Sequence, residues 1–278
     1  MAITRKIKVS ESGLPKVGSP LDDTQYGQHT DALAKYINAK VAKYAKKPIA
    51  TLKTVKSKND VKGLLRIAKA EYKGVFKSMQ TGVSRKIATA MFDGADKLTN
   101  TGRLRRDGSR KTVIEGLTKN VEFYTEAYFR RIVEPKLKSF VAKNKDSATF
   151  KKDFDALVKK SLTQAGNYWA NVSDTVAGRS FHYGLLKGAE GKGHTGFELV
   201  AVIDQRTTPF CRSIHGKRFL IKDALEDIEE LSLLRGKDVQ HGPWALVSEG
   251  KASITEMKKE GFITPPFHCS CRTRVVVI

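Results

Sequence analysis

Apolar residues recur at helical spacing through most of the first 190 positions, and only the last eighty or so carry short, dense apolar runs. From about Thr30, the residues Leu33, Tyr36, Ile37, Val41 and Tyr44 share one stripe. Lys35, Lys40, Lys43, Lys46 and Lys47 occupy much of the remainder, which predicts an amphipathic helix stopped by Pro48. A second helix is expected after an Asn59 cap, through Val61, Leu64, Leu65, Ala68, Tyr72, Val75 and Phe76, with Gly63 and Gly74 as weak points. A further stretch through Val83, Ile87 and Met91 ends near Gly94. Lys111 or Thr112 opens a long helix through Val113, Leu117, Val121, Tyr124, Tyr128 and Ile132, which Pro135 ends or kinks. Asp146-Ser147 caps another that carries Phe150, Phe154, Leu157, Val158 and Leu162. Aromatic residues at this spacing belong to a core before they serve as base-stacking platforms.

Beyond Lys187 the pattern changes. Gly188, Gly191, Gly193 and Gly196 form a flexible junction into Phe197–Ile203, whose near-continuous apolar character predicts a strand with no wet face. Lys217–Ile221 and Thr273–Ile278 supply two more strands, and an acidic helix runs from Asp223 to Leu234. The fold class is therefore mainly α: a basic helical domain over residues 31–192, followed by a small α+β domain over 193–278. Residues 1–30 combine Gly13, Pro15, Gly18 and Pro20 with few large apolar groups, and are expected to form an extended or disordered arm.

Charge divides the chain more sharply than hydropathy does. The formal net charge is +22, and residues 1–150 hold 32 Lys and Arg against 14 Asp and Glu, while residues 151–278 hold 19 against 15. A one-signed excess over so long a stretch predicts a polyanionic partner: double-stranded DNA bound without regard to sequence, RNA, or an acidic protein surface. The candidate contacts are Lys43, Lys46, Lys47, Lys53, Lys56, Lys58, Arg103, Arg105, Arg106 and Arg110. The last four lie in a segment with Gly102 and Gly108 that is expected to be a mobile loop, either a phosphate-contacting finger or a solvated turn. A membrane is the weaker partner: Met1–Lys8 lacks the apolar core of a signal peptide, and no apolar run approaches twenty residues.

Three cysteines, an odd number, do not make a disulfide framework, in keeping with a cytosol-like compartment. They cluster at the chain end with two of the six histidines. Cys211 and His215 are four apart and His268 and Cys271 three apart, so a third strand beside the first would let all four converge. Two thiolates and two imidazoles suit a closed, structural zinc site, with Cys269 as a spare or rival ligand; a reduced thiol cluster without metal is the other reading. A nucleophilic Cys211, activated by His215 or His268 and oriented by Asp204, is a third. No phosphate-cradling glycine loop, HExxH helix or paired acidic cluster of nuclease type is present.

Two blocks near the end also carry a family resemblance. Asp204, Arg206 and Thr207 follow an apolar strand; Cys211, Gly216 and Phe219 come next; Pro265, Pro266, His268, Cys271 and Arg272 precede the final strand. Upstream, Thr175, Arg179 and Gly184 fall on a helix. In order and spacing this third of the chain resembles the C-terminal module of phage head morphogenesis proteins, the minor capsid family related to protein F of bacteriophage Mu. The resemblance implies a non-enzymatic, low-copy component of the virion interior, made in the host cytoplasm and placed near the portal. It would touch the portal or the major capsid protein, with those motif residues forming a rigid assembly unit. The alternatives are a metal-dependent, nuclease-like enzyme or effector carried in the particle, and a generic cytosolic nucleic-acid-binding protein.

Overall fold

The computed structural model describes residues 26–46, 49, 60–97, 104–105, 107–144, 146–234, 249–268 and 271–278. The chain is mostly helical with a small three-stranded antiparallel sheet near its end, as its hydropathy pattern predicts. In chain order the longer elements are α1 (Gly27–Ala45), α2 (Val61–Asp96), α3 (Ser109–Tyr128), a π-helical turn (Phe129–Val133), α4 (Glu134–Asn144), α5 (Phe150–Thr163) and α6 (Gly166–Gly191). Then follow β1 (Gly196–Val200), α7 (Pro209–Ile214), β2 (Arg218–Leu220), α8 (Ile221–Leu233), α9 (Ile254–Lys259) and β3 (Arg274–Val277).

α6 is the centre. Every residue from Val172 to Leu186 is buried, and α1, α2, α3 and α8 all pack against it. Its tightest neighbour is α2, where side chains have been removed to let the backbones meet. A Cβ at Gly184 would lie 1.7 Å from the Met91 carbonyl oxygen, and one at Gly94 would lie 2.1 Å from that of Phe181. Ser180 uses the same proximity to donate its hydroxyl to the Ile87 carbonyl at 2.6 Å. A third close approach joins the helices to the C-terminal region: a Cβ at Gly116 on α3 would meet the Ser232 carbonyl oxygen of α8 at 2.1 Å. One apolar cluster runs from Tyr26 to Val275 without a break between the two parts.

Several local expectations need correction. The arm does not extend to residue 30, because Tyr26 is buried and α1 begins at Gly27; residues 1–25 lie outside the described residues. α2 is capped by Asp60 rather than Asn59, its carboxylate accepting from the Gly63 amide at 2.8 Å. Gly63 favours that cap, since a Cβ there would sit 2.1 Å from the Asp60 carboxylate oxygen. Ile132 falls outside the buried stripe of the long helix, which does not end at Pro135. The π turn ahead of it widens the spiral enough to accommodate the ring, and the delayed phase buries Phe129, Val133 and Leu137 while leaving Ile132 43% exposed. α5 starts from Thr149, not from Asp146-Ser147. Gly188 and Gly191 belong to α6, so the turn into the sheet rests on Gly193, at φ +85°.

The sheet order is β2-β1-β3. β1 pairs Phe197 with both Phe219 and Val277, and Leu199 with Val275. It has one wet face after all: Phe197 and Leu199 point into the core, while Glu198 faces out and pairs with Arg218 at 2.9 Å. Of the aromatics on the helices, Tyr72, Phe76, Tyr128, Phe150 and Phe154 are core residues and Tyr124 is partly buried against the core.

Candidate metal centre

β3 lies beside β1, and this pairing brings the two sequence blocks together. After β1 the chain turns through Asp204-Gln205-Arg206-Thr207, a turn held from inside. The Asp204 amide donates to the Thr207 hydroxyl at 2.8 Å, the Arg206 amide donates to the Asp204 carboxylate at 2.9 Å, and the Thr207 hydroxyl donates to the Val202 carbonyl. Arg272, arriving from the second block, donates both guanidinium nitrogens to the two Asp204 oxygens, one of them at 2.7 Å. That fork, chiefly, holds the Asp204 carboxyl well below the usual carboxylate range. Arg212 adds a bond to the Asp204 carbonyl.

Thr208 caps α7 and Pro209 occupies its first turn, a combination that fixes where the helix starts. The Thr208 hydroxyl accepts from the Cys211 amide at 3.2 Å and sits 3.3 Å from His268 Nε2. Cys211 Sγ lies 3.1 Å from the same nitrogen and 4.0 Å from Cys271 Sγ. The three ligand atoms of Cys211, His268 and Cys271 fall within 4.8 Å of one another, a group that could hold a metal ion. The two thiols are unequal. The Cys271 sulfur beside it, then His268, draws the Cys211 thiol well below its ordinary value, whereas burial pushes Cys271 up.

The remaining motif residues shape this unit. Gly216 turns at φ +79°, returning the chain so that its amide donates to the Leu199 carbonyl at 2.7 Å. Phe219 stacks on Phe197 at 5.8 Å. Pro265 and Pro266 are joined by a cis peptide; the Pro265 carbonyl bonds His182 Nδ1 at 2.8 Å, and Pro266 and Tyr26 both crowd Gly178. Tyr26 donates to the Cys271 carbonyl at 3.1 Å, tying the start of α1 to the segment that carries Cys271.

Two sequence-based assignments fail here. His215 is not part of the cluster: its Nδ1 accepts from the Ala201 amide at 3.1 Å, because α7 ends at Ile214 and His215 leaves it in extended conformation toward β1. Asp204 does not orient a histidine but fixes the turn, pairing with Arg206 at 3.9 Å and accepting the Arg272 fork. Cys269 lies outside the described residues. Sequence reasoning passed over Thr208 and Thr273, which line the cleft above Cys211 together with Ala201, Val202, Arg206 and Arg272. Thr208-Pro209 was readable as a helix start; nothing in the sequence marks Thr273. The cleft encloses about 220 Å³ including its open mouth.

Of the candidate DNA contacts, Lys43 and Lys46 are exposed at the end of α1 and Arg105 is exposed ahead of α3. Arg110 is half-buried, 5.6 Å from the Phe92 ring, and donates to the Arg105 carbonyl at 3.5 Å. Lys47, Lys53, Lys56, Lys58, Arg103 and Arg106 lie outside the described residues. Positions 104, 105 and 107–111 do not form a freely mobile loop. Leu104 is fully buried, the Tyr183 hydroxyl holds Asp107, Lys187 approaches that carboxylate at 3.8 Å, and α3 has begun by Ser109.

No family model, curated protein or solved structure matches this chain. Among the described residues, no helix is long and apolar enough to cross a membrane.

Proposed function

We propose that this chain is a non-enzymatic minor capsid protein of a tailed-phage head, with its basic helical part against packaged double-stranded DNA and its C-terminal unit docked on the portal or inner capsid. The observation that carries the reading is the charge division, 32 cations against 14 anions in residues 1–150 and 19 against 15 thereafter. Lys62, Arg66, Lys77, Arg85, Lys119 and Lys136 extend that excess over exposed positions of α2, α3 and α4. Cations displayed this way gain from counterion release on any phosphate backbone, without base readout. The motif residues, bound to one another rather than to solvent, suit a rigid docking unit.

Zinc is the ion this unit would hold. Two thiolates and an imidazole are soft and borderline donors of the kind zinc selects, and Cys211, His268 and Cys271 would join α7 to the segment before β3. A metal-dependent enzyme is the second reading, favoured by a ligand set of three; against it, Asp204 is neutralised by Arg272 and leaves no carboxylate in the cleft as a base. Metal analysis of the purified chain is expected to find stoichiometric zinc, lost in Cys211→Ser; metal-free protein of unchanged stability would leave the thiol cluster instead. Location tests the wider proposal. Mass spectrometry of purified phage particles made in cells that carry this gene is expected to find the chain at low copy, and its absence from full and empty particles alike would refute a head component.

A further inference from the structure

Among the described residues, Cys211, His268 and Cys271 offer three ligands, one short of the four that zinc takes in closed structural sites. His215, the fourth suggested by spacing, is engaged with the Ala201 backbone. The set is also lopsided: Cys211 and His268 line the cleft, whereas Cys271 is fully buried behind them. An independent observation points into the same space. Thr273 lines the cleft and is 1% exposed, and its hydroxyl has no hydrogen-bond partner among the described residues. A buried hydroxyl left unpaired is a standing cost that a bound water or anion removes. Arg206 and Arg272 belong to the same wall, both paired with Asp204.

We propose that the metal held by Cys211, His268 and Cys271 keeps an open fourth position facing this cleft, filled by water and exchangeable for a small anionic donor that Thr273 hydrogen-bonds. The proposal rests on the zinc reading above. Two thiolates, a neutral imidazole and a divalent ion sum to no net charge, so the centre does not repel an anion. The exchange is a substitution: the anion's lone pair takes the position, a neutral water leaves, and no electron is transferred. The small cleft restricts the donor to something the size of a carboxylate, such as a side chain presented by a docking protein.

The test uses the full chain loaded with cobalt(II), whose visible bands report ligand number and identity, with azide as the anionic probe. Cobalt is expected to bind stoichiometrically, azide to shift the bands saturably, and Cys269→Ser to leave the cobalt spectrum unchanged. Thr273→Val is expected to take up cobalt normally and bind azide roughly tenfold more weakly, the loss of one hydrogen bond. A spectrum indifferent to azide, with Cys269→Ser weakening the thiolate charge-transfer band, would overturn the proposal by showing a site closed by Cys269. Azide binding of wild-type strength in Thr273→Val would overturn the assignment of that hydroxyl. Failure to bind cobalt at all would remove the metal reading itself, an outcome separable from either.

Discussion

Asp227 shows how much a single buried carboxyl contributes to this fold. It is 4% exposed on α8, where it accepts from the Ile263 amide at 3.0 Å and lies near Arg179, yet burial pushes it up to about 7. A folded-state value above the unfolded one means that the folded chain holds the proton more tightly. Its contribution is then full below about pH 4 and lost as pH rises to about 7, by at most about 1.4 kcal/mol per pH unit. Asp227→Asn is therefore expected to gain stability relative to wild type between pH 5 and pH 8, read as the difference in thermal midpoints; a difference independent of pH would show that the carboxyl is ionised throughout. Asp204 is the opposite case, fixed as an anion by the Arg272 fork. Arg272→Lys keeps the charge but loses the paired geometry, and is expected to cost about 1–3 kcal/mol in denaturant unfolding. A cost near zero would mean that the turn stands without the fork. At this scale the sequence was partly legible. Cys211, His268 and Cys271 could be paired from their spacing, but His215, four residues from Cys211, has the same chemistry and only the extended exit from α7 removes it. Asp60 displaced Asn59 as a cap because either residue type can serve and backbone geometry decides.

The helices were readable as elements because burial on one side leaves a period that composition alone preserves. Leu33, Ile37 and Val41 on α1, and Phe150, Phe154, Val158 and Leu162 on α5, are buried as their spacing requires. Where two periods meet, the pattern misleads: Ile132 continues the stripe of Val121 and Tyr128 by count, but the π turn shifts the phase by a fraction of a turn. Glycine has two opposite meanings that spacing cannot separate. Gly63 and Gly74 look like weak points, and Gly94 like a terminator, yet Gly94 and Gly184 let α2 and α6 touch backbone to backbone. Gly184→Ala must therefore push a methyl group against a main-chain carbonyl, and is expected to destabilise the protein by about 1–3 kcal/mol or more. Gly108→Ala, where nothing lies within 4 Å of the new atom, is expected to change it by less than about 1 kcal/mol. Equal effects in urea titrations would contradict the close crossing.

At the scale of the whole molecule, the two parts are continuous in packing but divided in charge. α8 packs on α3 and α6, and Tyr26 reaches from the start of α1 to the Cys271 carbonyl, so the C-terminal unit and the helices share one core. The division of charge needs no such continuity and was legible from the count of residues alone. A cationic helical body rigidly joined to a nearly neutral motif unit is a sensible form for a protein that must lie against DNA while staying attached to something else. The central claim is that the basic part is an interface for the phosphate backbone, and the salt dependence of binding tests it most directly. The full chain, titrated onto duplexes of unrelated sequence, is expected to bind them alike, with log affinity falling linearly against log salt at a slope of about −0.9 per phosphate neutralised. Replacing the exposed Lys43, Lys46 and Arg105 by Ala is expected to flatten that slope. Binding that ignores salt, or that depends on one duplex sequence, would contradict the account.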